Sequence, residues 1–172
     1  MSVEDVKAYF RQFNREKDVI ELQLSSATVD LAAEHLHVEP ERIAKTLAFR
    51  GEGKEGAMLV VMAGDAKIDN KKFRGTFGFK ARMLSAEETL ELVGHAIGGV
   101  CPFALKSDWP VFMDESLKRF ETVFPACGSP NSAIELTVDD IYRLGKGKAW
   151  VDVCKGWQED AAESINKSSE ES

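Results

Sequence analysis

Large apolar side chains recur at helical spacing near the start of the chain, where Val6, Tyr9, Phe10 and Phe13 mark one face of a helix beginning near Val3. The period then drops to two. Residues 19–24 alternate as a strand does, Ser25-Ser26 offers a cap for a helix over 28–35, and Pro40 suits the first turn of a brief helix. Alternation returns over 43–49, the glycine-rich turn 51–56 reverses the chain, and the apolar run 57–63 comes back, so a hairpin is predicted. Asp69 can cap a short helix to Thr76, residues 80–84 are strand-like, and Ser85-Ala86-Glu87-Glu88 forms a capping box for a helix ended by Gly94. Strands are predicted over 110–113 and 122–126 around a helix capped by Asp114. Another over 133–136 precedes a helix started by Thr137, and 148–153 closes the sheet. Helices alternate with short strands without internal repeat or interdomain linker, and one α/β domain is the expectation.

One residue is out of place in this pattern. In the strand over 43–49, Ile43, Lys45, Leu47 and Phe49 share one face while Ala44, Thr46 and Ala48 share the other, so a lysine stands on the heavy apolar face. An ammonium among large hydrophobes is costly to desolvate unless a partner or a polar cleft receives it. Lys45 either holds an anion or a polarised carbonyl, or snorkels past the sheet edge to water, and the pattern leaves both open.

Composition narrows the class. A chain of 172 residues that is 44% hydrophobic and 30% charged can bury an ordinary core without staples, so it is expected to be soluble and globular. Cys101, Cys127 and Cys154 are odd in number and lack a Cys-x-x-Cys pair, which argues against a zinc site and a secreted disulfide framework; a reducing cytoplasm is the expected setting. No metal or cofactor is called for. No apolar run approaches the roughly 18 residues that span a bilayer, and the N-terminus has no basic region followed by an apolar stretch, so no membrane partner is expected.

The net charge of −7 conceals a gradient. Residues 158–172 carry five acids against Lys167 and almost no large apolar side chains, the composition of a disordered acidic tail. Over 67–82, by contrast, Lys67, Lys71, Lys72, Arg74, Lys80 and Arg82 face only Asp69. This stretch is a candidate phosphate-contacting patch, with Lys71, Lys72 and Arg74 as the residues that would meet a nucleic-acid backbone; a solvated helix face is the plainer alternative.

Two glycine-containing loops remain, 94–102 and 127–131. The Gly98-Gly99 pair lets backbone approach a ligand and aim N–H groups at an anion, although a glycine-rich turn after a helix is more often only a turn. Neither loop fits a Walker or dinucleotide fingerprint.

Taken in order, Ser26-Ala27-Thr28 with Ala32-Ala33, Ile43-Ala44-Lys45-Thr46-Leu47, Gly94-His95-Ala96-Ile97-Gly98-Gly99-Val100-Cys101-Pro102 and Cys127-Gly128-Ser129-Pro130-Asn131 resemble the YbaK/ProX-type aminoacyl-tRNA deacylases. That family includes the editing domain inserted in bacterial prolyl-tRNA synthetases. The resemblance implies an α/β (α+β) domain over residues 1–157, with a curved, mostly antiparallel mixed sheet flanked by helices. It also implies hydrolysis of the ester joining a wrong amino acid to the 3′ end of a tRNA, by a freestanding enzyme and most simply on tRNA(Pro). Alanine, cysteine, serine and threonine all remain open as the acyl group.

By the same resemblance, Lys45 is the family's pocket lysine, which fixes the terminal adenosine, its phosphate or the scissile ester. Gly98 and Gly99 form the loop that presents backbone groups to the aminoacyl moiety, and Gly128 and Ser129 the opposing wall. Thr28, Thr46, His95, Cys101 and Pro102 complete the expected substrate-binding set. Water is the attacking group, and part of the chemistry falls to the substrate itself. Mischarged tRNA is the expected partner, with an aminoacyl-tRNA synthetase as a second candidate.

Cys101 stands where serine is common in the family, and the last motif opens with Cys-Gly rather than Ala-Gly. A cysteine near His95 invites a nucleophilic alternative through a thiolate, whereas an inert pocket-lining thiol and a loop-ordering histidine are the plainer assignments. His35 and His37 are read as surface or packing residues. Two rival functions stay open: a non-catalytic accessory that holds an aminoacyl group or nucleotide, and an RNA- or ribosome-associated module acting through the 67–82 patch alone.

Overall fold

The structure, a computed structural model, describes residues 3–25 and 28–157. Ser26, Ala27 and the acidic tail expected over 158–172 lie outside the described residues. The chain opens with helix α1 (Val3–Arg11), whose Val6 and Phe10 are fully buried, and continues through β1 (Ile20–Glu21) and α2 (Val29–Leu36). A single 3-10 turn at Pro40–Arg42 feeds β2 (Ile43–Arg50), and the glycine turn reverses the chain into β3 (Ala57–Ala63). There follow β4 (Lys67–Ile68), α3 (Asn70–Phe77), α4 (Ala86–Leu92), β5 (Val111–Asp114) and β6 (Thr122–Pro125). The chain ends its described part with β7 (Ser132–Ala133), β8 (Leu136–Thr137), α5 (Val138–Leu144), β9 (Gly147–Val151) and β10 (Cys154–Lys155).

The main sheet has the order β8-β6-β2-β3-β5-β9. Its centre is the predicted hairpin, antiparallel from Ala44↔Ala63 to Arg50↔Ala57. Parallel pairings attach β6 to β2, β5 to β3 and β9 to β5, while β8 returns antiparallel to β6. Two small antiparallel ladders, β1 with β7 and β10 with β4, flank it. Among the described residues four of the seven pairings are antiparallel, in a mixed sheet with helices around it.

All seven residues of β3 are buried, because the sheet is covered on both faces. Ala44, Ala48, Leu59 and Val61 pack into a core with Val6, Phe10, Phe103, Ile141 and Leu144. Phe49, Met58, Val60 and Met62 pack on the other side with Phe73 of α3, where Leu47 joins them. Ile43 parts from that row and joins Ala33 of α2 and Phe124.

Local chemistry set most element ends. Asp69 accepts from Lys71 N and Lys72 N, Ser85 and Glu88 form the full capping box, and Thr137 caps α5. Helix α2 is capped by Thr28, whose Oγ1 accepts from Leu31 N at 3.2 Å, rather than by the Ser25-Ser26 pair. Strands read too long are those whose partners run out. The stretch 19–24 pairs only where β7 lies beside it, and 80–84 makes one bridge, Met83 to Phe49. The run 133–136 divides because the chain leaves β1 for β6, with Ile134 N donating to Pro125 O in between.

Candidate functional site

Lys45 is tied to the backbone. It is half-buried, its Nζ donates to the carbonyl oxygen of Gly64 at 3.3 Å, and burial pushes its ammonium below the ordinary lysine pKa, with Lys67 adding to the effect and Asp65 opposing it. Gly64 can present that oxygen only because it lacks a side chain. A Cβ there would lie 2.0 Å from Pro40 O and 2.8 Å from a Val29 methyl. One of three ammonium protons is thereby used, and two remain for a ligand.

Beside Lys45 the outer edge of β2 is interrupted. At one end β6 pairs with Ile43 and Ala44; at the other, Arg50 N donates to Arg82 O and Ala48 O accepts from Leu84 N. Alternate residues of a strand turn their N–H and C=O the same way, so Thr46, between Ala44 and Ala48, turns its backbone groups toward the gap. The gap opens into a cleft of about 310 Å³. Thr28, Val29, Ala32, Val100 and Ala126 line it, with Gly98 and Ile97 at the loop side and Met83 opposite. Thr46 is 8% exposed, and its Oγ1 is buried with no partner among the described residues. That hydroxyl is enclosed rather than open to the cleft, which Thr46 meets through its backbone.

The two glycine loops meet back to back. Gly99 O accepts from Gly128 N at 3.1 Å, and a Cβ on Gly99 would lie 2.6 Å from Gly128 C and Ser129 N. Gly98, at φ +94°, is the member that faces the cleft. Gly128 and Ser129 therefore stand behind the loop as its support and do not line the cleft. The segment 127–132 is itself tied down: Ser129 Oγ lies 2.8 Å from both Asn131 Oδ1 and Ser132 Oγ, and Asn131 Nδ2 donates to Leu22 O.

His95, Cys101 and Pro102 fall on the far side of the loop from the cleft. His95 and Cys101 are 0% exposed. His95 Nε2 lies 2.8 Å from Phe103 O, and a carbonyl can only accept, so this nitrogen carries the proton. It is the same nitrogen that lies 3.6 Å from Cys101 Sγ, and it has no lone pair to take the thiol proton. Burial pushes the Cys101 thiol up to about 12, the opposite of what a thiolate nucleophile needs. The pair is packing, and the acyl-enzyme alternative loses its geometry. Pro102 borders a different, larger groove of about 550 Å³ at the opposite end of the sheet, with Tyr9, Trp109 and Lys146. That groove contains no other sequence-predicted site residue.

The basic stretch also divides. Lys71 and Arg74 are exposed on α3, whereas Lys72 donates to Asp152 Oδ1 and Cys154 O, both at 3.0 Å. Residues that sequence reasoning missed are the apolar cleft walls, above all Val29, Met83, Val100 and Ala126. The available signal was the small face of β2, Ala44, Thr46 and Ala48, which leaves room beside the strand. Three cysteines are buried and free, and no cluster of three or more metal-ligating side chains occurs among the described residues. No helix there is long and apolar enough to cross a membrane.

The sequence and the fold both have counterparts among known proteins. The sequence matches the aminoacyl-tRNA editing domain over residues 25–144. It is 61% identical over 158 residues to YwhH of Bacillus subtilis strain 168, an uncharacterised protein, covering 92% of this chain and all of that one. EbsC of Enterococcus faecalis, provisionally named a Cys-tRNA(Pro)/Cys-tRNA(Cys) deacylase, is 29% identical over 70% of this chain and 74% of its own length. Proline–tRNA ligase of Kosmotoga olearia shares 32% over 92 residues, 53% of this chain but only 16% of the ligase. Among solved structures, a candidate trans-editing enzyme for prolyl-tRNA synthetase superposes with a TM-score of 0.80 at 30% identity, over 90% of this chain and 97% of that one.

Proposed function

Since this chain belongs to the aminoacyl-tRNA editing domain family, we propose that it is an aminoacyl-tRNA deacylase that hydrolyses the ester of a mischarged tRNA. The tRNA is tRNA(Pro), and the acyl group is small. The observation that carries this is the placement of Lys45: a desolvated ammonium held by Gly64 O, beside the interrupted edge of β2 and a cleft walled by small apolar side chains. Val29, Ala32, Ala44, Val100 and Ala126 leave space for a short side chain and offer a charged one no partner. Lys45 positions the ester through its remaining protons, and the backbone around Thr46 and Gly98 receives the oxyanion as water attacks. The attacking water is activated by the substrate, through the neighbouring ribose hydroxyl, which suits a cleft whose one ionisable described wall residue is Lys45.

The test is deacylation of Ala-, Cys-, Ser-, Thr- and Pro-tRNA by the wild type and by Lys45→Ala. Selective hydrolysis that falls by about a hundredfold or more in the variant, in line with the loss of a transition-state donor, is the expected result. Binding of all five with hydrolysis of none overturns catalysis and leaves an accessory binding protein.

A further inference from the structure

The groove of about 550 Å³ at the opposite end of the sheet lies apart from the Lys45 cleft and has the size of a small-molecule site. Its lining is mainly apolar: Pro102 and Val111 are buried, and Tyr9, Leu105 and Trp109 are half-buried. The polar tips of both aromatic residues are already used. The Tyr9 hydroxyl donates to Leu144 O, and Trp109 Nε1 donates to Leu92 O at 2.6 Å. Trp109 is also held from one side by Gly56, where a Cβ would lie 2.7 Å from the indole ring. Both rings are therefore fixed and offer a ligand only apolar surface.

The chain between α4 and β5, residues 93–110, forms neither helix nor strand and is long for a connection inside a compact domain. Its first half borders the Lys45 cleft through Ile97, Gly98 and Val100. Its second half, from Pro102 to Pro110, borders the groove instead. Connections of this length that are packed in place usually serve a site, and the second half has none in the cleft.

Charge and backbone conformation point the same way. Lys146 and Lys148, alternate residues where β9 begins, both border the groove and are exposed. No carboxylate pairs with either among the described residues; their ammonium groups lie 6.0 Å from the ring centres of Tyr9 and Phe112. Asp108 stands at the same rim and pairs with neither. Lys146 is also held at φ +53°, just past the end of α5, where glycine is the favoured residue. The glycine falls one position earlier, at 145, where a Cβ would lie 2.7 Å from Ile141 O and 3.0 Å from the Pro102 ring. A lysine thus bears the left-handed backbone at the rim, and Ala104, on the groove wall, is likewise held at φ +53°. Strain of this kind gathers at ligand clamps.

We propose that this groove binds a small organic carboxylate, with its apolar body against Tyr9, Leu105 and Trp109 and its charge between Lys146 and Lys148. Two ammonium groups beside one carboxylate leave a single positive charge at the rim, which matches a monoanion better than a phosphate dianion. Lys146 and Lys148 are positioning residues for that anion. The groove is separate from the Lys45 cleft, so both can be filled at once.

The experiment titrates phenylbutyrate, phenylbutanol, phenylbutylamine, acetate and inorganic phosphate into the full chain, followed by NMR, with Lys146→Gly, Lys148→Ala and Lys45→Ala in parallel. Phenylbutyrate is expected to shift the amides of Leu105, Trp109 and Lys146 and to bind about tenfold tighter than any of the other four. Lys146→Gly should weaken it about tenfold while melting no lower than wild type, because glycine relieves the left-handed backbone. Lys148→Ala should weaken it by a similar factor, and Lys45→Ala should bind it as wild type does. Alcohol or acetate that binds as tightly as phenylbutyrate overturns the proposal, as does phosphate that outcompetes it or shifts confined to Gly98 and Val100 at the cleft. A Lys146→Gly protein that melts lower and binds phenylbutyrate unchanged overturns it too, by showing that the lysine serves only the end of α5.

Discussion

Lys45 Nζ lies 3.3 Å from the carbonyl oxygen of Gly64, at the point where Pro40 leaves no room for any residue but glycine. A half-buried ammonium with a single backbone acceptor is incompletely compensated for its desolvation, which works against stability. Lys45→Met is therefore expected to melt no lower than wild type while losing ester hydrolysis. Calorimetry beside the deacylation assay checks both halves; a clear loss of melting temperature would show that the lysine is there for the fold.

The buried imidazole gives a pH signature. Burial holds His95 below its ordinary pKa, so the unfolded chain takes up a proton more readily than the folded one. The stability this gives is complete above about pH 6.5, the unperturbed histidine value, and declines as pH falls toward the depressed folded-state pKa. Urea midpoints measured from pH 7.5 to 5 should fall on the acid side, and His95→Leu should flatten that fall. A wild-type profile level across the range would contradict it.

Native thiol chemistry should be silent. Cys101, Cys127 and Cys154 are all buried, and burial raises each thiol pKa. Ellman's reagent is expected to find no reactive thiol in the folded protein and three in urea. Cys101→Ala should keep most activity at a stability cost of about 1–2 kcal/mol for the vacated space. Rapid native labelling at Cys101, with activity lost in step, would restore the nucleophilic role.

At the loop junction the backbones are too close for any side chain on Gly99. Gly99→Ala must push Gly128 and Ser129 away from a 2.6 Å contact, moving Gly98 and the cleft wall with them. A destabilisation of about 1–3 kcal/mol is expected, with activity lost beyond what unfolding explains. Chemical denaturation and the specific activity of the folded fraction separate the two effects.

The basic face of α3 should split by residue. Lys71→Glu and Arg74→Glu are expected to weaken tRNA binding and reduce its salt dependence, because both side chains are exposed. Lys72→Ala should mainly lower stability, by up to about 1 kcal/mol, since that ammonium ties α3 to Asp152 and Cys154 O. Equal effects of all three on binding would point to one continuous phosphate track.

The sequence by itself determined what short-range chemistry controls. Alternation and the glycine turn set the β2–β3 hairpin, and Asp69, Ser85 and Thr137 set helix starts, because a cap or a turn needs only a few neighbours in the chain. Lys45 was conspicuous for the same reason, as a charge out of phase with its strand. Only the tertiary structure decided what lies beside that strand. Thr28 displaced Ser25-Ser26 as the cap, and 80–84 shrank to one bridge, because only β2 was there to pair with it. Gly128 and Ser129 moved behind the loop, Cys101 and His95 went into the core, and Met83 emerged as a wall of the cleft. Each of these depends on which distant segment arrives at the edge of β2, and strand pairing across long loops leaves no periodic mark in the chain.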